Sequence, residues 1–421
     1  MDLWLIKLGK AWSALKEEGL WRGGTRITKS FFNLFHHVGS GDVLFITGGL
    51  GDSARYRSWH VVEELRLQAG LRCSITVQDN PFLSGYADKF SIFIFHRVMY
   101  TPSVAKLIEK IKAQHKTIIF ETDDLVFDAK YQKDMDHFRK MNTFERKQYA
   151  GGVGAEILAD PYVEVATTST DFLAEKLREQ NKTVFVVPNK LSQEDVQTMD
   201  EILAATKGAA GRDARSCIST ESENDVIIGY FSGAKGHDKD FAVVTDVLLE
   251  LFQKYPQLRL FVAGPLVLDE RLLALNKSVS GVETQDLASQ EKRIIQVAYV
   301  PRAEHFANVA HIDINVAPLE VGNPFCESKS ELKFFEAGYL GVPTVASATD
   351  PFRRAIEDGV DGFVAMKSDE WKEKLSRLIE DKNLRSQMGE RAHEKAVTKY
   401  TTTNAHNEEY YAFLKSKIIS A

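Results

Sequence analysis

PLEVGNPFCESKSELKFFEAGYLGVPTVAS, residues 318–347, compresses a strand exit, a loop, a helix and a return strand into one short run. Ser328 and Glu331 have the spacing of a capping box, which predicts a helix starting at Ser328 with the amides of Lys329 and Ser330 left over for a ligand. Lys329, Lys333 and Glu336 then share one face at i, i+4 and i+7, while Leu332, Phe335 and Leu340 face the core. Gly341, Val342 and Pro343 supply a tight return into the apolar run Thr344, Val345, Ala346. A helix between two buried runs, with a polar stripe at its start, is the pattern of a helix laid on a parallel sheet. A plain surface helix carries charges at the same spacings, so the stripe by itself leaves both interpretations open.

The same alternation extends in both directions. Short β-branched runs at 226–231, 258–263, 294–298, 312–317, 342–346 and 362–364 alternate with helical periods, and an equivalent series occupies 42–47, 71–77, 91–95, 117–121, 163–167 and 183–187. The expected fold class is α/β, with two Rossmann-like domains facing across a cleft and ligands at the carboxyl ends of the strands. The expected limits are an amphipathic helical extension over 1–40, a first domain over 41–190, a linker over 191–224 with one helix near 195–205, and a second domain over 225–400. A helix over 402–419 is expected to return to the first domain.

Composition narrows the function. The chain has 421 residues, 44% of them hydrophobic, enough to fill two cores. Its 53 basic and 59 acidic residues are interspersed and sum to −6, so no general attraction to nucleic acid is expected. Cys73, Cys217 and Cys326 lack metal-type spacing, which suits a reducing cytoplasm. No apolar run approaches the roughly 18 residues that cross a bilayer. Residues 1–38 are basic and interleaved with Trp4, Leu8, Trp12 and Leu15. They either lie on the inner face of an anionic membrane as a peripheral contact or pack on the first domain.

The loops after the strands hold the candidate chemistry. Gly48, Gly49 and Gly51, followed by Arg55 and Arg57, let backbone amides approach a ligand, although a tight strand-to-helix turn has the same composition. Asp123 and Asp124 form a carboxylate pair that suits sugar hydroxyls or a metal equally with a helix cap. Gly233, Lys235, Gly236, His237 and Lys239 make either a diphosphate cradle or a solvated loop, with Asp240 as the N-cap of the following helix.

Taken together, Val187-Pro188-Asn189, the segment 229–240, Glu336-Ala337-Gly338, the 343–347 return and the tail through Gly359, Gly362, Met388 and Tyr400 resemble the retaining GT-B glycosyltransferases of family four (glycosyl transferases group 1). The segments 231–241 and 323–336 resemble a bacterial subgroup that makes surface polysaccharides. The resemblance implies transfer of a sugar from a nucleoside diphosphate sugar to an acceptor hydroxyl with retention of configuration, in polysaccharide or glycoconjugate synthesis. It implies catalytic roles for Lys239, Lys329 and Glu336, and donor binding by Gly233, Lys235, His237, Glu327, Ser328, Ser330 and Lys333. Acceptor binding falls to Gly49, Gly51, Arg55, Arg57, Arg97, Asp123 and Asp124, the partner being a glycan or lipid-linked glycan. No metal or other cofactor is expected, since fixed cations occupy the place of an ion. The sequence departs from the family at Ala234, where an arginine is usual, with Lys235 beside it, and at Ser328, where a glutamate is usual, with Glu327 beside it. Neither His60 nor His96 is matched to the histidine often found in the first domain. The alternatives are a nucleotide-sugar 2-epimerase of the same fold and a non-catalytic nucleotide-sugar-binding protein.

Overall fold

The computed structural model describes residues 37–207 apart from 136–137, 139–140, 142–145 and 147–148, then 224–233, 236–276 and 292–418. The chain divides into two compact units. The first gathers its described residues from the N-terminal part up to Lys190 and from Ala405 onward, and the second from Leu191–Asn404 with a short excursion near 134. Residues 1–36 of the expected amphipathic extension, part of the expected linker, and Lys235 lie outside the described residues.

Each unit is built on one six-stranded parallel sheet, as the alternating apolar runs predict. In the first, β1 (Val43–Thr47), β2 (Cys73–Val77), β3 (Ile92–His96), β4 (Thr117–Thr122), β5 (Val165–Thr168) and β6 (Thr183–Val186) pair in the order β2-β1-β3-β4-β5-β6. In the second, β7 (Val226–Phe231), β8 (Leu258–Ala263), β9 (Ile294–Val297), β10 (Ile314–Ala317), β11 (Thr344–Ser347) and β12 (Phe363–Ala365) pair as β12-β11-β10-β7-β8-β9. The strand order reverses at the β1/β3 pair and at the β7/β10 pair. Those are the two switch points where loops diverge and ligands bind in open α/β sheets.

The central strands carry apolar residues on both faces because helices cover both. In the first unit Val43, Phe45, Ile92, Ile94 and Ile119 form the core with Val61, Val62 and Leu65 of helix α1 (His60–Ala69). The C-terminal helix Glu408–Ser416 belongs to the same core through Tyr410, Tyr411 and Leu414. A buried polar knot fixes it there: Glu64 accepts from the Tyr411 hydroxyl at 2.6 Å and from Lys190 Nζ at 2.8 Å. That helix is shorter than the expected 402–419 span, since Thr402–Asn404 forms a separate turn in the second unit.

The expected linker is also revised. Gln193–Lys207 is a helix (α2) of the second unit, anchored by Asp195 to Arg302 and by Asp200 to the Tyr339 hydroxyl at 3.0 Å. The helix expected near 195–205 is thus present, and Asp195 and Asp200 fix it within the second unit.

Arg57 corrects a second expectation. The run Asp52–Ala69 is helical throughout, with a π-type turn at Arg55–Trp59. Such a turn admits an extra residue and re-aims its side chains, and here Arg57 turns inward and is fully buried. It meets Glu121 of β4 in a bidentate pair at 2.8 and 3.2 Å, and also donates to the Val187 carbonyl and to Asn189 Oδ1 at 3.0 Å. The pair ties the first helix, β4 and the exit of β6, so Arg57 is a strut and not an acceptor contact. Glu121→Ala strands a buried guanidinium and is expected to destabilise the protein by about 3–5 kcal/mol, against a smaller loss for Glu121→Gln, measured by urea unfolding.

Candidate functional site

At the first switch point, His96 ends β3 and Arg97 follows with φ of 50°. That left-handed turn is uncommon for a residue with a side chain. The Arg97 carbonyl lies where a Cβ on Gly48 would stand, at 2.0 Å, so Gly48 is the one residue type that fits. Gly49 and Gly51, by contrast, are exposed with open space beside them, so the three glycines do not share one job.

The ring of His96 is held on both sides, by Thr47 Oγ1 at 3.2 Å and Ser53 Oγ at 3.1 Å, with Asp123 at 3.6 Å from Nε2. Arg97 Nη1 donates to Ser53 Oγ and Asp123 Oδ1, each at 3.3 Å, and to Asp124 Oδ2 at 3.4 Å. Burial opposes the charge on Arg97, and the two aspartates outweigh it and hold the guanidinium well above its ordinary value. Burial likewise opposes the charge on Asp123, and Arg97 and His96 outweigh it and hold that carboxyl well below the usual range. Asp123 therefore stays ionised, and both Asp123 and Asp124 are engaged by Arg97. Arg55 stands 3.9 Å from Asp52 at the half-exposed mouth of the loop.

At the second switch point the loop after β7 leads into α3 (Asp238–Lys254), and the loop after β10 passes through Pro324–Glu327 into α4 (Leu332–Tyr339). Asp240 lies in the first turn of α3 and is buried, where an N-cap was expected; the helix begins two residues earlier, with His237 in the N-cap position. One Asp240 oxygen accepts from the Cys326 thiol at 3.2 Å and the other pairs with His237 Nδ1 at 2.8 Å. Burial would raise Asp240, but the His237 hydrogen bond and the charge of Lys329 keep it below the ordinary value. Burial and Asp240 both push the Cys326 thiol well up, so it keeps its proton. For His237, burial is the largest influence and Lys329 and Lys333 add to it against the Asp240 hydrogen bond, lowering it to about 4. The imidazole is neutral across the physiological range.

The capping-box expectation at Ser328 fails for a local reason. Asn323 caps an earlier short helix by accepting from the Phe325 amide at 3.0 Å, with Pro324 at its first position. Ser328 ends that helix, fully buried, with its hydroxyl on the Phe325 carbonyl at 2.8 Å, and the Lys329 amide donates to the Cys326 carbonyl at 3.2 Å. Glu327 is no freer: one oxygen accepts from the Gly322 amide and the other from the Asp350 amide, both at 2.8 Å. Ser328 and Glu327 thus shape the loop that presents Lys329.

Lys329 and Lys333 nevertheless come together. Lys333 is half-buried, 5.6 Å from the centroid of the Tyr230 ring. Burial and the neighbouring Lys329 charge lower it to about 8. Lys239 is exposed on the first turn of α3, and Gly233 is exposed with open space beside it. Ser330 is half-buried between the two short helices.

Glu336, buried on α4, takes Arg302 Nη1 at 3.2 Å on one oxygen and His305 Nε2 at 3.3 Å on the other. Arg302 and His305 lie one turn apart on Arg302–Ala310, and Phe231 packs edge-on to His305 at 5.1 Å. Sequence reasoning missed this pair, though Pro301 followed by Arg302 and His305 at i, i+3 is a helix start with two donors on one face. It also missed His96, Ser53 and Thr47.

Among the described residues, Asp240, Glu320 and Cys326 are the group whose potential metal-ligating atoms approach one another, within 4.8 Å. Both Asp240 oxygens already accept from protein donors, so the cluster is internally satisfied and no ion site is assigned to it.

Two Rossmann-like units, each with polar side chains gathered at its switch point, define an α/β protein of the GT-B class. Solved structures agree on the fold. HepE from Anabaena, in complex with UDP and glucose, is 11% identical over 89% of this chain and 100% of that one, with a TM-score of 0.55. A glycosyltransferase from Rickettsia africae ESF-5 is 10% identical over 90% and 99%, with a TM-score of 0.55. Sucrose-phosphate synthase from Thermosynechococcus elongatus is 13% identical over 89% and 98%, with a TM-score of 0.52. No curated protein matches the chain. Residues 218–395 match the model of the glycosyl transferases group 1 family. That match lies within the second unit and covers most of it.

Gly48→Ala forces a Cβ against the Arg97 carbonyl and is expected to cost on the order of 2–3 kcal/mol in unfolding free energy, while Gly49→Ala leaves stability within about 0.5 kcal/mol. Urea denaturation of the two variants side by side checks this.

Proposed function

We propose that the protein is a glycosyltransferase that moves a sugar from a nucleoside diphosphate sugar to an acceptor hydroxyl with retention of configuration, in polysaccharide or glycoconjugate synthesis. The observation that carries this is the cation pair Lys329 and Lys333 at the β7/β10 switch point, where two positive charges are kept near each other beside the buried carboxylates Asp240 and Glu336. Two like charges held close cost free energy unless an anion joins them, and a diphosphate is an anion of the right charge and span. The family match of the second unit, and the complexes of HepE with UDP and with UDP-glucose, support a nucleotide-sugar donor.

In such a transfer negative charge builds on the leaving phosphate as the glycosidic bond breaks. Fixed cations aimed at that oxygen stabilise the transition state more than the ground state. Lys329 and Lys333 fill that role, with Lys239 at the loop mouth as a further phosphate contact. Glu336, oriented by Arg302 and His305, is the carboxylate proposed to meet the hydroxyls of a ribose. The first unit binds the acceptor through the His96, Arg97, Asp123 and Asp124 cluster, with the Gly49–Arg55 loop beside it. Charge neutralisation by lysines makes turnover independent of a divalent metal, so full activity is expected in excess EDTA. No helix among the described residues is long and apolar enough to cross a membrane. A cytoplasmic location, with peripheral membrane contact through residues 1–38, is proposed with the function, and the acceptor is a glycan or lipid-linked glycan.

The donor class is read by thermal unfolding against UDP, GDP, TDP, ADP and CMP. A ligand at 100 times its dissociation constant adds roughly 2.7 kcal/mol. One nucleoside diphosphate is expected to raise the melting temperature by several degrees in the wild type and to lose most of that effect in Lys329→Ala and Lys333→Ala. No stabilisation by any of them removes the donor-site assignment. An epimerase yields an altered donor with no acceptor present, and product analysis distinguishes it from a transferase.

The site also sets a pH dependence. Lys333 is charged below about 8 and neutral above it, so affinity for the diphosphate is full near pH 6.5 and falls as pH rises through 8. His237 stays neutral throughout this window and contributes nothing to the slope. The charged groups that face Lys333 are Lys329, Asp240 and Glu336. Titration calorimetry is expected to give about tenfold weaker binding at pH 9.5 than at pH 7, flattened in Lys333→Arg.

A further inference from the structure

The proposed diphosphate cradle contains a group that does not suit a phosphate. His237 lies in the N-cap position of α3, next to Lys329 and Lys333, yet its ring cannot serve as a third cation. Asp240 is a buried carboxylate whose oxygens accept and do not donate, so the 2.8 Å contact to His237 Nδ1 requires the proton on that nitrogen. Two lysine charges nearby oppose a second proton on the ring. Nε2 therefore carries a bare lone pair, and no hydrogen bond to it is recorded among the described residues. A lone pair repels a phosphate oxygen and accepts from a hydroxyl.

The tautomer is held by a chain of contacts that crosses the switch point. Cys326, on the loop after β10, gives its thiol proton to one Asp240 oxygen at 3.2 Å. His237, on the loop after β7, gives its Nδ1 proton to the other. Asp240 is thus fixed by the β10 loop while it fixes a ring on the β7 loop. A buried carboxylate that takes two donors in opposite directions has no rotational freedom left, and the ring it holds is set in both orientation and protonation.

We propose that Asp240 is a positioning residue that locks His237 in its Nδ1-protonated, neutral form, so that Nε2 accepts a hydrogen bond from a hydroxyl of the donor's sugar or ribose and takes no part in binding the diphosphate. The proposal rests on the donor-site assignment above for the identity of the hydroxyl, but the tautomer and its dependence on Asp240 stand without it. It moves His237 from the group that holds charge to the group that reads the sugar.

The test uses the full chain and two probes, inorganic pyrophosphate and UDP-glucose, with histidine ring nitrogens followed by NMR. In the wild type at pH 7 the His237 ring is expected to show the Nδ1–H, bare-Nε2 pattern. In Asp240→Ala it is expected to lose that single tautomer, and Asp240→Asn, whose amide oxygen still accepts, is expected to retain it in part. His237→Gln is expected to leave pyrophosphate affinity within about twofold, whereas Lys329→Ala lowers it at least tenfold and Asp240→Ala, which removes a carboxylate beside the two lysines, does not lower it. Against UDP-glucose His237→Gln is expected to weaken binding about tenfold, as for one lost hydrogen bond, and to have no further effect once Asp240 is replaced by Ala. An Nε2-protonated or doubly protonated ring in the wild type overturns the proposal, as does a loss of pyrophosphate affinity in His237→Gln matching that of Lys329→Ala. If Asp240→Ala does not fold, the wild-type ring pattern and Asp240→Asn still decide the tautomer. Absence of any binding by the wild type overturns the donor-site assignment and leaves the ring pattern to decide the role of Asp240.

Discussion

Parallel strands joined by crossover helices can cover only one side of their starting strand before the chain must turn back, and the place where it turns is the constraint on which the chemistry of this molecule depends. β1 is flanked by β2 and β3, and β7 by β8 and β10. At each of these places the two following loops run away from each other, over opposite faces of the sheet, and leave a notch at the carboxyl edge that no helix fills. The polar groups collect in those notches. Thr47 and Ser53 come from one side and His96 and Arg97 from the other; His237 and Asp240 come from one side and Cys326, Lys329 and Lys333 from the other. Neither set is contiguous in sequence, and each is assembled by pairing order alone.

The two notches differ in how their charges are settled. In the first unit every strong charge near the notch has a partner of opposite sign in the same unit: Arg57 with Glu121, Arg97 with Asp123 and Asp124, Lys190 with Glu64. What that surface offers a ligand is oriented hydrogen-bonding groups. In the second unit Lys329 and Lys333 stand near the carboxylates of Asp240 and Glu336, and the Lys329 charge makes Lys333 harder to protonate. A site with surplus positive charge suits an anion, and a neutralised site with fixed hydroxyl, imidazole and carboxylate groups suits a sugar. The division of labour proposed here, donor diphosphate on the second unit and acceptor on the first, follows this difference in electrostatics.

Much of this architecture is legible in the sequence because it rests on period. The β-branched runs at 42–47 and 226–231 read as strands since a sheet covered on both faces needs them apolar throughout, and each sits where the strand does. Lys329, Lys333 and Glu336 are also visible, because helical spacing and the return through Pro343 point to them. What escapes is competition between caps. Ser328 and Glu331 have the spacing of a helix start, but Asn323-Pro324 is a stronger one five residues earlier, and it converts Ser328 into a helix end. Arg57 escapes for another reason. A π-type turn changes the angular position of every residue after it, and no spacing rule that assumes 3.6 residues per turn tracks that shift. Arg302 and His305 escape because their partner, Glu336, is 34 and 31 residues further along, respectively, and is brought close only by the packing of two helices.

The carboxylates carry the last step. Several acidic residues stand where a sequence suggests chemistry, and in each case the structure engages them in holding something. Glu327 ties the Gly322 amide to that of Asp350, so the loop that presents Lys329 is closed at both ends. Glu121 holds Arg57 and accepts from Thr167 as well, and Asp123 and Asp124 hold Arg97. Among them Asp123 is a poor base, because Arg97 and His96 outweigh its burial and hold its carboxyl well below the usual range. A transfer in which the departing phosphate is itself the strongest nearby base needs no other, provided its growing charge is met by fixed cations. For the transfer proposed above, acids engaged in holding the fold and lysines set at the notch are the arrangement expected.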